Sequence, residues 1–128
     1  MSKILENLRY AKTHEWVQII DAGTARVGIS DFAQHALGDL VFINLPEIDD
    51  QLTAGNPFGD LESVKAVSDI VSPVSGVVSA VNQDVLDQPA LINENPYESW
   101  FIEVTDFELA SDLMTAAEYE DFCKKEAH

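Results

Sequence analysis

Phe58-Gly59-Asp60-Leu61-Glu62-Ser63-Val64-Lys65-Ala66-Val67-Ser68-Asp69-Ile70-Val71-Ser72-Pro73 is the stretch that decides the fold. Two β-prone runs, Phe58 to Ser63 and Val67 to Val71, flank the short segment Val64-Lys65-Ala66, and Ser72-Pro73 breaks the second run. The pattern reads as a hairpin with Lys65 at its turn. No glycine occupies the tip, so a type I turn is expected over the primed types.

Working outward, the same grammar repeats. Asp39 to Leu45 is a strand stopped by Pro46, and residues 50–56 connect it to the hairpin, with Gly55 and Pro57 as punctuation. Upstream, His14 to Ile20 and Thr24 to Ile29 are strands joined by the turn Asp21-Ala22-Gly23. Ser30 or Asp31 caps a short helix over residues 32–37, and Gly38 suits its end. Downstream, Val77 to Val81 follows Gly76, Pro89 to Ile92 is a short apolar piece, and Trp100 to Val104 is the last strand. Short strands at such spacing suggest a sandwich or barrel. The tail changes period. Residues 108–114 and 115–124 carry helical spacing with Leu109, Leu113, Tyr119 and Phe122 inward, and Thr115 with Glu118 forms a capping-box pattern. The expectation is one domain over 1–128, with a β core at about 13–105 and C-terminal helices at about 108–125. Gly38-Asp39-Leu40-Val41 faintly echoes Ser68-Asp69-Ile70-Val71, which would fit two similar halves.

Composition narrows the function classes. The 128 residues carry 7 basic and 23 acidic side chains, a net charge of −16, and 46% are hydrophobic. Such a chain can bury a core, repels nucleic acid and anionic membranes, and suits partners with basic docking patches. Cys123 is the single cysteine, so no internal disulfide forms. No apolar run reaches membrane-spanning length, and the N-terminus lacks a secretory core. A cytoplasmic bacterial protein is expected. His14, His35, Cys123 and His128 show no metal-ligand spacing, and neither a catalytic triad order nor a phosphate-binding glycine loop is present.

Lys65 stands out against this charge. It is the only basic residue from Val27 to Cys123, a stretch that holds 19 of the 23 acids. An isolated amine on a stiff turn has three uses. It can be a plain surface charge, a Schiff-base amine, or the anchor of a covalently carried cofactor. A Schiff-base lysine needs an apolar pocket, and a tip with Glu62, Ser63 and Asp69 nearby does not supply one. An amide-linked arm needs an accessible amine on a rigid turn, which the flanking strands provide. Trp16 and Trp100 read as core, Gly28 and Gly76 as backbone requirements, and His14 as structural.

Here a resemblance enters. Glu62-Ser63-Val64-Lys65-Ala66, then Ser68-Asp69 and Ser72-Pro73-Val74-Ser75-Gly76, resembles the lipoylation hairpin of the glycine cleavage system H protein family. Tyr10, His14-Glu15-Trp16, Val27-Gly28-Ile29, Ala33-Gln34, Leu37-Gly38-Asp39, Val41-Phe42 through Leu45-Pro46, Val81-Asn82, Leu91-Ile92-Asn93 and Pro96-Tyr97 extend the likeness over nearly the whole chain. Biotin carriers flank their lysine with methionines, whereas Val64 and Ala66 stand here.

The resemblance implies a mainly β, lipoyl-type barrel-sandwich hybrid of two similar halves, with short helices at the periphery and C-terminus. It implies a non-catalytic carrier with lipoate amide-linked to Lys65, and hairpin recognition through Glu62, Ser63, Val64, Ala66 and Asp69. The carrier would move the aminomethyl group of glycine from a pyridoxal-phosphate glycine decarboxylase (P protein) to a tetrahydrofolate-dependent aminomethyltransferase (T protein). Reoxidation would fall to dihydrolipoyl dehydrogenase (L protein), and attachment to a lipoate-attaching enzyme. Glu15, with Asp69 beside the hairpin, is the candidate carboxylate of a cleft that receives the loaded arm. A monomer is expected. Two alternatives share the lysine: an H-like relay passing lipoyl groups to other complexes, and an enzyme using Lys65 as a Schiff-base amine. The chain departs from the family in lacking a glycine before Trp100, in carrying Glu103 where lysine is common, and in carrying Phe32 where histidine is frequent.

Overall fold

The protein, described here over residues 3–126 in a computed structural model, is built mainly of strands. In chain order the elements are β1 (Arg9–Tyr10), β2 (Glu15–Asp21), β3 (Thr24–Ile29), α1 (Asp31–Leu37), β4 (Leu40–Asn44), β5 (Gln51–Leu52), β6 (Pro57–Ser63), β7 (Val67–Val71), β8 (Val74–Val81), α2 (Gln83–Asp87), α3 (Ala90–Glu94), β9 (Ile102–Leu109) and α4 (Ala116–Glu126). They form two antiparallel sheets. One has six strands in the order β1-β2-β3-β9-β8-β5, the other three in the order β4-β6-β7. No helix among the described residues is long and apolar enough to cross a membrane.

The sheets close over a shared apolar core. Val17, Val27, Val78 and Val104 come from the larger sheet and Leu40, Ile43, Leu61 and Ile70 from the smaller, all buried. Alternating side chains of a pleated strand face opposite sides, so each strand lends its inward set to one core. A second cluster lies under α4, where Leu8, Tyr10, Trp16, Met114, Tyr119 and Cys123 pack together. The rings of Tyr10 and Tyr119 stack at 4.2 Å.

Local signals act as their chemistry dictates. Ser30 caps α1 by accepting the Ala33 N–H at 3.2 Å, and Gly38 closes it with its N–H on the Gln34 carbonyl at 3.0 Å. Both halves of the capping box ahead of α4 form, Thr115 N–H to Glu118 at 2.9 Å and Glu118 N–H to Thr115 at 3.3 Å. The echo at 38–41 and 68–71 falls on β4 and β7, which flank β6 from either side.

Other expectations are corrected. Residues 108–114 are not helical: β9 runs to Leu109, paired with Val74 of β8, and Met114 bridges Tyr10. The C-terminal region therefore holds one helix, α4. Leu109 and Leu113 have the spacing of a helix face, but pairing with β8 satisfies the backbone first. The pieces around Gln83 and Ala90 are short helices, and β5 sits inside the expected connection. Trp16 is buried as expected, with its indole N–H on the Pro96 carbonyl at 3.2 Å. Trp100 is only half-buried and lies under the Arg26 guanidinium at 4.8 Å. The departure at Glu103 has its reason there, since its carboxylate takes the Arg26 Nε–H at 2.8 Å. Gly28 is required for space, not for backbone angle: a Cβ there would lie 2.5 Å from the Trp16 ring, and at Gly76 2.5 Å from Val104.

Candidate functional site

Lys65 sits at the tip of the β6–β7 hairpin, in the register Glu62 to Val67, Leu61 to Ser68 and Asp60 to Asp69. The Ser63 N–H donates to the Ala66 carbonyl at 2.8 Å. The return bond is unusual. Ala66 N–H donates to the Ser63 hydroxyl at 3.0 Å, and Lys65 N–H donates to the same oxygen at 3.2 Å. The Val64 N–H reaches the Asp39 carbonyl ahead of β4 at 3.0 Å. All three tip amides are therefore satisfied, and the turn is tied to its neighbouring strand. No tip residue has positive φ, consistent with the absence of a primed turn.

The Lys65 side chain is exposed, and among the described residues no salt bridge engages it. Its stem passes Gly38 so closely that a Cβ there would lie 3.3 Å from Lys65 Cε. Gly38 also has φ +83° and ψ −163°, a region open in practice to glycine alone. The exposed side chain lacks the desolvated setting that a Schiff-base amine needs, so that arrangement finds no support here.

The carboxylates divide between two places. Glu62 lies on the outer face of the smaller sheet, in one row with Phe42 and Val67, and Asp60 and Asp69 form the next row. Like charges directly opposite repel, and Asp60 is steadied by the Asn44 amide at 2.8 Å. Glu15 is elsewhere. It is 2% exposed, its carboxylate accepts the Val71 N–H at 3.0 Å and the Thr13 hydroxyl, and burial lifts its pKa to about 7. It therefore sits at the base of the hairpin, not at its tip. A depression beside the base of the hairpin is lined by Lys12, Thr13, Val71, Ser72, Pro73 and Leu113, two of which, Thr13 and Val71, are the hydrogen-bond partners of Glu15.

His14 precedes Glu15 in a strained conformation, φ 78°. Its Nε2 meets Glu126 at 2.9 Å and its Nδ1 the Tyr119 hydroxyl at 2.7 Å, which in turn lies 2.6 Å from the Ser30 hydroxyl. With Nε2–H donating to Glu126, each hydroxyl can donate toward His14 while Ser30 accepts from Ala33, so a neutral imidazole satisfies the network. Burial lowers the His14 pKa, against the pull of Glu126. Phe32 stacks on this ring at 4.8 Å, which gives that departure its structural place. Among the described residues no three His, Cys, Asp or Glu gather as a metal group; His128 lies outside them.

Sequence reasoning found Lys65, the hairpin and Glu15 as residues of interest. It missed the contact between Gly38 and the Lys65 stem, the double role of the Ser63 hydroxyl, and the exposure of Val41 and Phe42. The last had a signal: Leu40-Val41-Phe42-Ile43 is an unbroken apolar run that a strict two-residue alternation cannot bury.

Comparison with known proteins agrees in one direction. The sequence profile described as Glycine cleavage H-protein matches residues 8–126. The chain is 53% identical over 124 residues to the glycine cleavage system H protein of Lachnoclostridium phytofermentans, covering 97% of this chain and 98% of that one. It is 47% identical to the protein of the same name from Anoxybacillus flavithermus, covering 96% and 98%. Its fold is similar to the crystal structure of a glycine cleavage system H protein from Mycobacterium marinum, with a TM-score of 0.87, 36% identity, and coverage of 98% and 100%.

Proposed function

The chain belongs to the glycine cleavage H-protein family, and from that membership we propose that Lys65 is the residue on which it holds its lipoyl group. The family role is that of a lipoyl carrier subunit of the glycine cleavage system, serving the P, T and L proteins without catalysing a reaction itself. When attached, the lipoyl group supplies a dithiolane that accepts the aminomethyl group of glycine and yields it to the folate-dependent step.

The observation that carries the proposal is the tip itself: an exposed amine, unpaired among the described residues, on a turn whose three amides are all bonded. The residues fit an amide-linked arm. Ser63 holds the turn, Val64 pins it to the strand behind, and Ala66 leaves the amine uncrowded. Glu62 and Asp69 supply the local negative charge that lipoate-attaching enzymes and other partners would read. Tethering raises the effective concentration at which each partner meets the cargo.

Glu15 has a place in the same proposal. From Val67 to Val71 the strand runs about 13 Å. A cationic arm end laid back along β7 would pass Asp69 and reach the depression at Val71, whose N–H is held by Glu15. There its amine would compete with the Val71 N–H for the Glu15 carboxylate. The proposal includes the whole chain as one carrier domain, monomeric and cytoplasmic.

The test is carbon dioxide release from glycine by a purified glycine decarboxylase supplied with the lipoylated protein. Release that disappears with Lys65→Arg is expected. Release from Lys65→Arg equal to that of the wild type would refute it.

A further inference from the structure

Seven large apolar side chains are exposed among the described residues, and four of them belong to the hairpin and to the strand beside it. Val64 and Val67 are 70% and 68% exposed, Val41 and Phe42 55% and 48%. Scattered exposed apolar residues need no explanation, but four on one hairpin and the strand paired with it do. The backbone shows how two of them come to face solvent. The β4–β6 register shifts between Leu40 and Phe42, a bulge opposite Ser63 and Glu62. Leu40 and Ile43 can then both enter the core while Val41 and Phe42 both turn outward. An unbroken alternation would turn one of that pair inward. Bulges commonly re-aim side chains beside functional sites.

We propose that Val41, Phe42, Val64 and Val67 are the docking surface for the enzyme that attaches the lipoyl group, a protein offering an apolar recess rimmed by Lys and Arg. The inference rests on Lys65 being the attachment residue. Amide formation selects this partner among those that visit the carrier. The neutral Lys65 amine attacks the carbonyl carbon of a carboxyl-activated lipoyl group. The C–N bond forms, the bond to the activating group breaks, and the surplus amine proton passes to solvent. The enzyme must therefore bring its reacting carbon to Nζ and close over the tip itself.

Charge selects the chemistry of the rim. Glu62 shares a row with Phe42 and Val67, Asp60 and Asp69 occupy the next row, and the chain carries a net charge of −16. Opposite charge around the recess speeds encounter, and a small apolar centre holds the complex briefly, as a substrate that must leave requires.

The test is lipoylation of the full-length unmodified protein by a purified lipoate ligase with lipoate and ATP, followed by intact mass. Phe42→Ser and Val67→Ser should each lower kcat/KM at least tenfold, mainly through KM, with thermal melting close to wild type. The exposed Ile48→Ser, away from the hairpin, should match wild type. The KM of the wild type should rise with salt. Phe42→Ser and Val67→Ser modified as fast as wild type would overturn this inference and leave Lys65 as the attachment residue. A wild type that takes no lipoyl group at all would overturn both.

Discussion

The carboxylate of Glu15 accepts the N–H of Val71 at 3.0 Å and so binds the base of the lysine hairpin to the start of β2. The bond crosses from the larger sheet to the smaller one, at the outer edge of β7, which among the described residues pairs only with β6. A buried carboxyl thus completes the hydrogen bonding of an edge strand.

Glu15 should make stability fall toward alkaline pH. Its pKa is about 7 in the fold against 4.5 as a free side chain, so the folded state holds the proton more tightly. That contribution is fully present below pH 4.5 and is lost as pH rises through 7. The shift corresponds to about 3 kcal/mol. Glu15→Gln keeps an acceptor for Val71 but does not titrate. Urea unfolding at pH 5 and pH 8 should show a larger loss in wild type than in the variant; parallel losses would refute this.

Tyr119→Phe removes the hydroxyl that joins His14 to Ser30. Ser30 and Tyr119 are both fully buried, so the loss should cost about 1–3 kcal/mol in urea unfolding. His14 adds an acid-side dependence. Its pKa is lowered in the fold, so the unfolded chain takes up the proton first and stability declines as pH falls below 6.5. His14→Asn, which tolerates positive φ, should flatten that decline.

Gly28→Ala should be among the most damaging single-methyl additions. The new Cβ would lie 2.5 Å from the Trp16 ring, which is buried and cannot move aside freely. Overpacking of this kind costs about 1–3 kcal/mol, read as a lower midpoint in thermal unfolding.

Ser63→Ala leaves the Lys65 and Ala66 amides without their shared acceptor. The turn is exposed, so water replaces the hydroxyl and stability should fall by only about 0.5–1.5 kcal/mol. The tip loses its fixed geometry, and lipoylation should slow several-fold, with Ser63→Thr restoring it. Unchanged lipoylation kinetics in Ser63→Ala would show that turn rigidity is irrelevant to modification.

The hairpin, α1 and the α4 capping box were legible because each rests on a few adjacent residues: Ser72-Pro73, Ser30 with Gly38, Thr115 with Glu118. What stayed hidden depends on distant partners. Nothing near Leu109 announces that Val74 will pair with it, and five-residue helices such as α2 are too short to show a period. Glu15 reads as a polar strand residue; its burial follows from the approach of Val71, 56 positions away. The exposed Val41–Phe42 step required the bulge opposite Ser63, a property of two strands together.

The central claim is that Lys65 carries the lipoyl group. Peptide mass mapping after lipoylation tests it most directly. The added mass of one lipoyl group should fall on the peptide containing Lys65 and on that residue, and Lys65→Arg should carry none. Lipoyl mass on Lys3, Lys12, Lys124 or Lys125, or its persistence in Lys65→Arg, would contradict the account.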